Sequence, residues 1–409
     1  MTRKNFCLYP FTAFSIDNAG KTRICCNNNA WDRVFLNKSI SEPNFDLDKE
    51  YNNPLHKEVR QFMIEDRRHP SCKKCWEIED QGQISWRQWF NESFQTDNVL
   101  NDWLAKCEPD GTIKNLEFLY LDITFGNRCN LKCVMCNGYN STLFLKEEFE
   151  TKQIDETTYK RLIKLDWFND TAVFEKLYGY IANVQRIHIV GGEPLIIEHQ
   201  DFLKKLIELD VAKNITISYN SNLTKLPREI LECWKKFKRV YLCVSVDAYA
   251  ELNEFIRFPM KWDKLIANLH TVDQIAKDQG NIAIQIHSTF SSLNIQNFVQ
   301  YLDWIKDITT QCTSIECHPM VNYVYVPNWA DPINLPTHIK QQCYEDYSKW
   351  EEENQIFLNS FFGDTQRFDM LRSYFEKINA TPGNPELFEE FLERVKFYEQ
   401  VRNIQFPKL

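Results

Sequence analysis

An α/β fold built on a parallel sheet is the class this chain predicts, and three observations predict it. Six short apolar, β-branched runs are spread between residues 116 and 318. Stretches whose apolar residues recur at three and four, the spacing of one helix face, separate them. Strands alternating with helices in this way read as βα units, whose strands lie parallel and whose functional residues collect at the strand carboxyl ends. The sheet could be open or curled into a partial barrel.

In chain order, residues 1–110 read as irregular, with turn signals and well-spaced cysteines. TAFSI, DNAG and KTRIC form a predicted β-hairpin, which brings Cys7 and Cys25 together. Cys26 adjoins Cys25, but neighbouring strand residues point to opposite faces. Cys72 and Cys75 form a C-x2-C pair, so two pairs supply four thiols. Such a set could hold zinc or an iron–sulfur cluster. The strand candidates follow: 116–124, 185–190, 215–219, 239–246, 282–288 and 313–318. Helical patterns lie at 199–210, 226–237, 263–277 and 294–307. Residues 335–409 are polar and helical, broken at ATPGNP (380–385), with an amphipathic helix at 386–403.

At 409 residues the chain is long enough for two or three domains. With 43% hydrophobic and 26% charged residues it has ordinary globular composition. No run approaches the ~18 apolar residues of a membrane span, and the start has no apolar stretch of signal-peptide length. A cytoplasmic location is expected, where 14 cysteines call for metal ligation rather than disulfides. The net charge of −9 argues against a nucleic-acid partner.

The densest motif is CNLKCVMC, with Cys129, Cys133 and Cys136, just past the first strand. Two thiols suffice for a disulfide and four close a structural zinc site. Three thiolates on a four-iron cube leave one iron for an outside ligand. GGEP (Gly191, Gly192, Glu193, Pro194) ends the second strand, where glycines let backbone approach a ligand and a carboxylate suits an ammonium. YNSNL offers Asn220 and Asn222 after the third strand. SVDA ends the fourth with Ser245 and Asp247, two apart and so on one face of an extended strand.

Together these motifs resemble the radical S-adenosylmethionine (SAM) superfamily. The resemblance implies a partial (β/α)6 TIM-like barrel over 111–330. It implies a 4Fe–4S cluster on Cys129, Cys133 and Cys136 whose open iron takes the amino and carboxylate groups of SAM. Cleavage of SAM then yields a 5′-deoxyadenosyl radical that abstracts a substrate hydrogen. Gly191, Gly192, Glu193, Asn220, Asn222, Ser245, Asp247 and Arg257 are the implied SAM contacts. Met135 stands where the family usually has an aromatic residue near the adenine; its polarizable thioether can fill that space.

The front cysteines, with C-x12-G-x4-C from Cys7 to Cys25 and the run Cys72, Cys75, Glu79, Gly82, Ser85, Arg87, resemble SPASM and twitch auxiliary domains. Those modules usually follow the barrel; here the module precedes it. The resemblance implies a second 4Fe–4S cluster on Cys7, Cys25, Cys72 and Cys75 in a twitch-like domain at 1–110; it does not reach the helical extension at 331–409. It also implies oxidation or cross-linking of a peptide or small-molecule substrate, the second cluster accepting an electron. A reducing partner such as flavodoxin or ferredoxin is then required. His287 and His318, near the ends of the fifth and sixth strands, are candidate substrate contacts. Cys317 could donate a hydrogen atom, as in peptide epimerases. A non-catalytic iron–sulfur electron carrier and a zinc-stabilised binding protein are the other readings.

Overall fold

The protein is described from a computed structural model covering residues 3–28, 38–80, 82, 84–170, 172–316, 320–324, 326–362 and 365–407. It has the mixed α/β class expected, with mostly parallel strands alternating with helices. Contacts divide it into two compact units, one of 1–128, 160–219 and 229–239, the other of 129–159, 220–228 and 240–409.

In the first unit, β1 (Ala13–Ile16) and β2 (Thr22–Arg23) form the expected antiparallel hairpin. Asp17 closes its turn, the carboxylate accepting hydrogen bonds from the Ala19 and Lys21 amides at 2.8 and 2.9 Å. On its other side β1 pairs in parallel with β3 (Tyr120–Phe125). β3 in turn pairs with β4 (Arg186–Gly191), and β4 with β5 (Thr216–Ser221). The register places Ser15, Asp122, His188 and Ser218 side by side, one polar row across four parallel strands. The alternate positions Leu121, Ile123, Ile187, Ile189 and Ile217 are fully buried, as the two-residue period of a strand requires.

The front of the chain is helical where irregular structure was expected. Helices run over Leu47–Tyr51, Pro54–Ile64, Lys73–Asp80, Trp86–Ser93 and Thr96–Ala105. Three of them start at recognisable caps: Asp46 accepts from Lys49 N, Asn53 from His56 N, and Ser85 forms a capping box with Gln88. The helices are short, at most 11 residues, so their apolar period is too brief to stand out from the turn residues between them. Arg60 is wholly buried and satisfied by the carbonyls of Pro10, Tyr51 and Gly111 and by Asn52, at 2.7–3.0 Å. It ties the helix Pro54–Ile64 to the start of the chain.

In the second unit, β6 (Arg239–Ser245), β7 (Ile282–Phe290) and β8 (Met320–Tyr323) are parallel neighbours. The sixth strand therefore lies later than expected. Among the described residues of that range, 313–316, only Ile315 makes a bridge, to Ile284, because the helix Phe298–Gln311 ends at Cys312 and a turn occupies 313–314. The tail is helical as expected, over Thr337–Glu353, Gln355–Phe362, Thr365–Ala380 and Pro385–Arg402. Asn384 caps the last of these and Pro385 takes its first position. No helix is long and apolar enough to cross a membrane among the described residues.

Candidate cluster and cofactor site

The three-cysteine loop has little secondary structure of its own, so its shape is imposed by neighbours. Its apolar residues anchor it: Leu131 and Val134 are 2% and 1% exposed. Between them the backbone borrows partners, with Lys132 N donating to Phe258 O and Val134 N to Ile256 O, both at 2.7 Å. Ser141, at the start of the helix Thr142–Glu150, donates to Leu131 O at 2.6 Å and accepts from Phe144 N. Thr142 Oγ1 accepts from Cys129 N at 3.2 Å. With the apolar residues turned inward, Cys129, Met135 and both other thiols remain half-buried. Burial pushes Cys133 up, against the Arg257 charge, and burial followed by the Cys133 charge pushes Cys136 up to about 12. Any metal taken up there must displace protons.

Asn222 is buried and links this loop to the segment after β5. Its Nδ2 donates to Asn130 Oδ1 at 3.1 Å, while its Oδ1 accepts from Thr224 N and Oγ1 at 3.0 and 2.6 Å. Asn130 Nδ2 closes the ring on Thr224 Oγ1 at 2.8 Å. Asn220 is exposed. β5 ends at Ser221 and the chain turns at Leu223, with φ 54°, so Asn220 lies within the strand and Asn222 beyond it.

After β6, Asp247 is 1% exposed and its carboxylate is occupied: Oδ1 accepts from Thr289 N and Oδ2 meets Arg257 Nε, each at 2.8 Å. Its backbone is held by Asn253, which accepts from Asp247 N, and by Asn294, which donates to Asp247 O at 2.6 Å. Burial would weaken the Arg257 charge, but Asp247 and then the Cys133 thiol more than offset this and raise its pKa. Asp247 thus aims Arg257, and Arg257 acts on the cysteine loop. Ser245 and His287 are register partners on β6 and β7, both half-buried. Asn253 and Asn294 were not singled out from the sequence; nothing in their local pattern marks them. Cys317 and His318 lie outside the described residues.

GGEP belongs to the first unit. Gly191 has φ 144°, and a Cβ there would meet Phe125 O at 2.8 Å; one on Gly192 would meet Arg128 O at 2.3 Å. Only glycine lets the two loops touch, and they do so by backbone, Gly192 N to Gly126 O at 3.1 Å and Glu193 N to Arg128 O at 2.9 Å. Glu193 is buried and its carboxylate accepts from Leu195 N at 3.0 Å.

The front cysteines come together as expected. Cys7, Cys25, Cys72 and Cys75 line one cavity, with Tyr9, Trp86 and Arg87 in its wall. Burial, then the charges of Cys72 and Cys75, pushes the Cys7 thiol far up; burial, then Cys26 and the other three, does the same to Cys25. Burial and Cys75 push Cys72 up to about 12. Side-chain hydrogen bonds hold the segments. Arg87 Nη1 and Asn91 Nδ2 donate to Phe6 O at 2.6 and 2.8 Å, beside Cys7. Asn28 Nδ2 donates to Ser71 Oγ at 2.8 Å, joining the Cys25 and Cys72 loops. Glu79, Ser85 and Arg87 form one knot: Ser85 Oγ donates to Glu79 at 2.5 Å and Arg87 grips the carboxylate at 2.9 and 2.6 Å. Gly82, with φ 75°, makes the turn that folds this run back on itself.

Two observations bear on what fits. Among the described residues no three His, Cys, Asp or Glu side chains converge closely enough to hold a single metal ion. The four thiols line one enclosed space, and thiolates are ligands for both iron–sulfur clusters and zinc. The Trp86 indole N–H is buried without a partner in that same wall, a donor suited to a sulfur acceptor. None of the described cysteines forms a disulfide.

Asp122 and His188 were not singled out from the sequence. Asp122 is 2% exposed and accepts from Ser15 Oγ at 2.9 Å and Tyr9 OH at 3.3 Å, with His188 Nδ1 at 3.3 Å and Arg23 at 3.8 Å. Burial would raise its carboxyl, but His188, then Arg23 and Ser15, hold it below the ordinary value. An aspartate amid the apolar run LEFLYLDIT was the available signal.

Residues 123–303 match the family model described as the Radical SAM superfamily. The GTP 3',8-cyclase of Mannheimia succiniciproducens is 24% identical over 207 residues, 49% of this chain and 53% of that protein. That of Haemophilus influenzae Rd is 21% identical over the same shares. The chain spans about half the length of the curated relatives it matches. Among solved structures, anSMEcpe with bound AdoMet and Cp18Cys peptide is 15% identical, covers 59% of this chain and 61% of its own, and has a TM-score of 0.35. Streptococcus suis SuiB is 14% identical, covers 73% and 63%, and has a TM-score of 0.38.

Proposed function

The chain carries a radical SAM domain, and from that premise we propose that it is an enzyme that cleaves SAM reductively and oxidises or cross-links a peptide or small-molecule substrate. The observation that carries this reading is the loop 129–136: three half-buried thiols on a backbone fixed from both sides, within the matched domain. Cys129, Cys133 and Cys136 would hold a 4Fe–4S cluster, which with SAM supplies the 5′-deoxyadenosyl radical. Around it, Arg257 places positive charge beside the thiolates and Asp247 fixes its direction. Gly191, Gly192, Glu193, Asn220, Asn222, Ser245 and Met135 are the further SAM contacts that the family resemblance implies.

Cys7, Cys25, Cys72 and Cys75 would hold a second 4Fe–4S cluster. All four thiols are then used, which suits electron transfer and not substrate ligation. The proposed division of labour is an auxiliary module at 1–110, a radical SAM barrel at 111–330 and an extension at 331–409. The sequence relatives are named for acting on GTP, which favours a small-molecule substrate alongside a peptide. His287 is the proposed substrate contact within the described residues, and a flavodoxin or ferredoxin the proposed reductant.

Anaerobic reconstitution, iron and sulfide counting, and incubation of the reduced protein with SAM test this. About eight irons per chain and release of 5′-deoxyadenosine are expected from two such clusters. Zinc in place of iron, or iron without SAM cleavage, overturns the reading.

A further inference from the structure

The carboxyl-terminal helix Pro385–Arg402 is absorbed by none of the chemistry above, yet its last residue ends inside the second unit. The Arg402 side chain is 0% exposed, in a tail that is otherwise largely polar. It meets Glu147 of the helix Thr142–Glu150 three ways, from Nε at 3.3 and 3.1 Å and from Nη2 at 2.7 Å. Glu147 is itself 2% exposed and also receives Lys132 Nζ at 2.5 Å. Lys132 stands between Cys129 and Cys133, and its amide is the one that donates to Phe258 O. Tyr398 and Phe258 flank the Arg402 guanidinium at 4.2 and 5.6 Å.

A buried ion pair is costly to assemble and more costly to break, so its retention calls for a role in position or charge. One carboxylate here faces two cations, and the surplus positive charge sits next to the cysteine loop. We propose that Arg402 is a positioning residue for the three-cysteine loop: through Glu147 it locks Lys132, and with it the loop backbone, and it keeps two cations against one carboxylate beside that loop. The inference rests on the loop being the cluster site proposed above.

The test uses the full chain with Arg402→Met, Arg402→Lys and Lys132→Met. Backbone hydrogen exchange of 129–136 in the metal-free protein reads position. The midpoint potential of the EPR signal that changes when SAM is added reads charge. Arg402→Met is expected to speed exchange of the loop amides at least about tenfold and to move the potential downward, since losing a cation favours the more oxidised cluster. Arg402→Lys restores the potential and only part of the protection, because an ammonium lacks the fork. Lys132→Met keeps the test alive if Arg402→Met fails to fold; it should loosen the same amides and lower the same potential. Folded variants in which neither readout moves overturn the proposal. A wild-type loop that binds no iron overturns the cluster reading instead, and the exchange result still reports on Arg402.

Discussion

Cys129, Cys133 and Cys136 lie within eight consecutive residues, whereas Cys7, Cys25, Cys72 and Cys75 come from three separated segments. The short loop exposes its thiols partly and hides its aliphatic residues; the front set buries Cys7 and Cys75 and surrounds all four with aromatic rings and Arg87. The loop borrows backbone partners at 256 and 258, while each front segment is pinned by side chains, chiefly Asn28, Glu79, Arg87 and Asn91. A site that must admit a small molecule tolerates a loose rim. One that only passes electrons gains from being sealed, since dry surroundings keep the environment of the metal fixed.

The largest test of this contrast is removal of the thiols. Cys129→Ala/Cys133→Ala/Cys136→Ala should abolish 5′-deoxyadenosine release and leave about four irons. Cys7→Ala/Cys72→Ala should also halve the iron but spare part of the SAM cleavage. If both lose cleavage equally, the two sites are not separable in the way proposed.

Next in size is the front knot. Glu79→Ala strands the Arg87 guanidinium, which is only 7% exposed, and should cost about 3–5 kcal/mol of stability in urea unfolding. A cost below ~1 kcal/mol would mean the knot is dispensable and the front set less tightly built than the loop.

Acid should act on the first unit through two buried histidines. Burial holds His199 neutral, its pKa lowered to about 4 despite the Ile197 carbonyl, and burial followed by the Arg60 charge lowers His56 to about 3. In the unfolded chain both protonate near 6.5, so the unfolded state binds protons first as pH falls. Stability contributed by His199 is therefore full above pH ~6.5 and declines toward pH 4, by about 3 kcal/mol. His199→Gln, able to keep bonds to Ile197 O and the Tyr219 hydroxyl, should flatten that slope. An unchanged slope would show that His199 does not titrate as its burial implies.

The smallest effect is expected at Asn222. Asn222→Ala removes the ring with Asn130 and Thr224 and should cost about 1–2 kcal/mol, with a weaker apparent affinity for SAM. A loss of stability with no change in SAM binding would make Asn222 a brace only.

How much of this was legible in the sequence depended on how local each signal is. The hairpin at 13–23 announced itself through DNAG between alternating runs, and GGEP through glycines that backbone contact demands. The E-x2-G-x2-S-x-R run was visible as spacing, though only the structure shows Glu79, Ser85 and Arg87 in one knot. The sixth strand was misplaced because TSIE (313–316) has strand composition but makes one bridge, while MVNY has the ladder. Register was out of reach: that Ser15, Asp122 and His188 share a row follows from pairing between strands over 60 residues apart. Asp247 illustrates the same limit from the other side. Its position at a strand end was readable, but not that Arg257 and the Thr289 amide already occupy both its oxygens.

Arg402 and Glu147 are 255 positions apart. A ribosome releases the helix bearing Glu147, and the cysteine loop before it, long before it makes residue 402. Through most of translation Glu147 has Lys132 alone for company, and closing a chain loop of that length is among the slower steps a domain takes. The loop proposed above to hold the cluster is thus left unlatched in a nascent chain until the tail arrives.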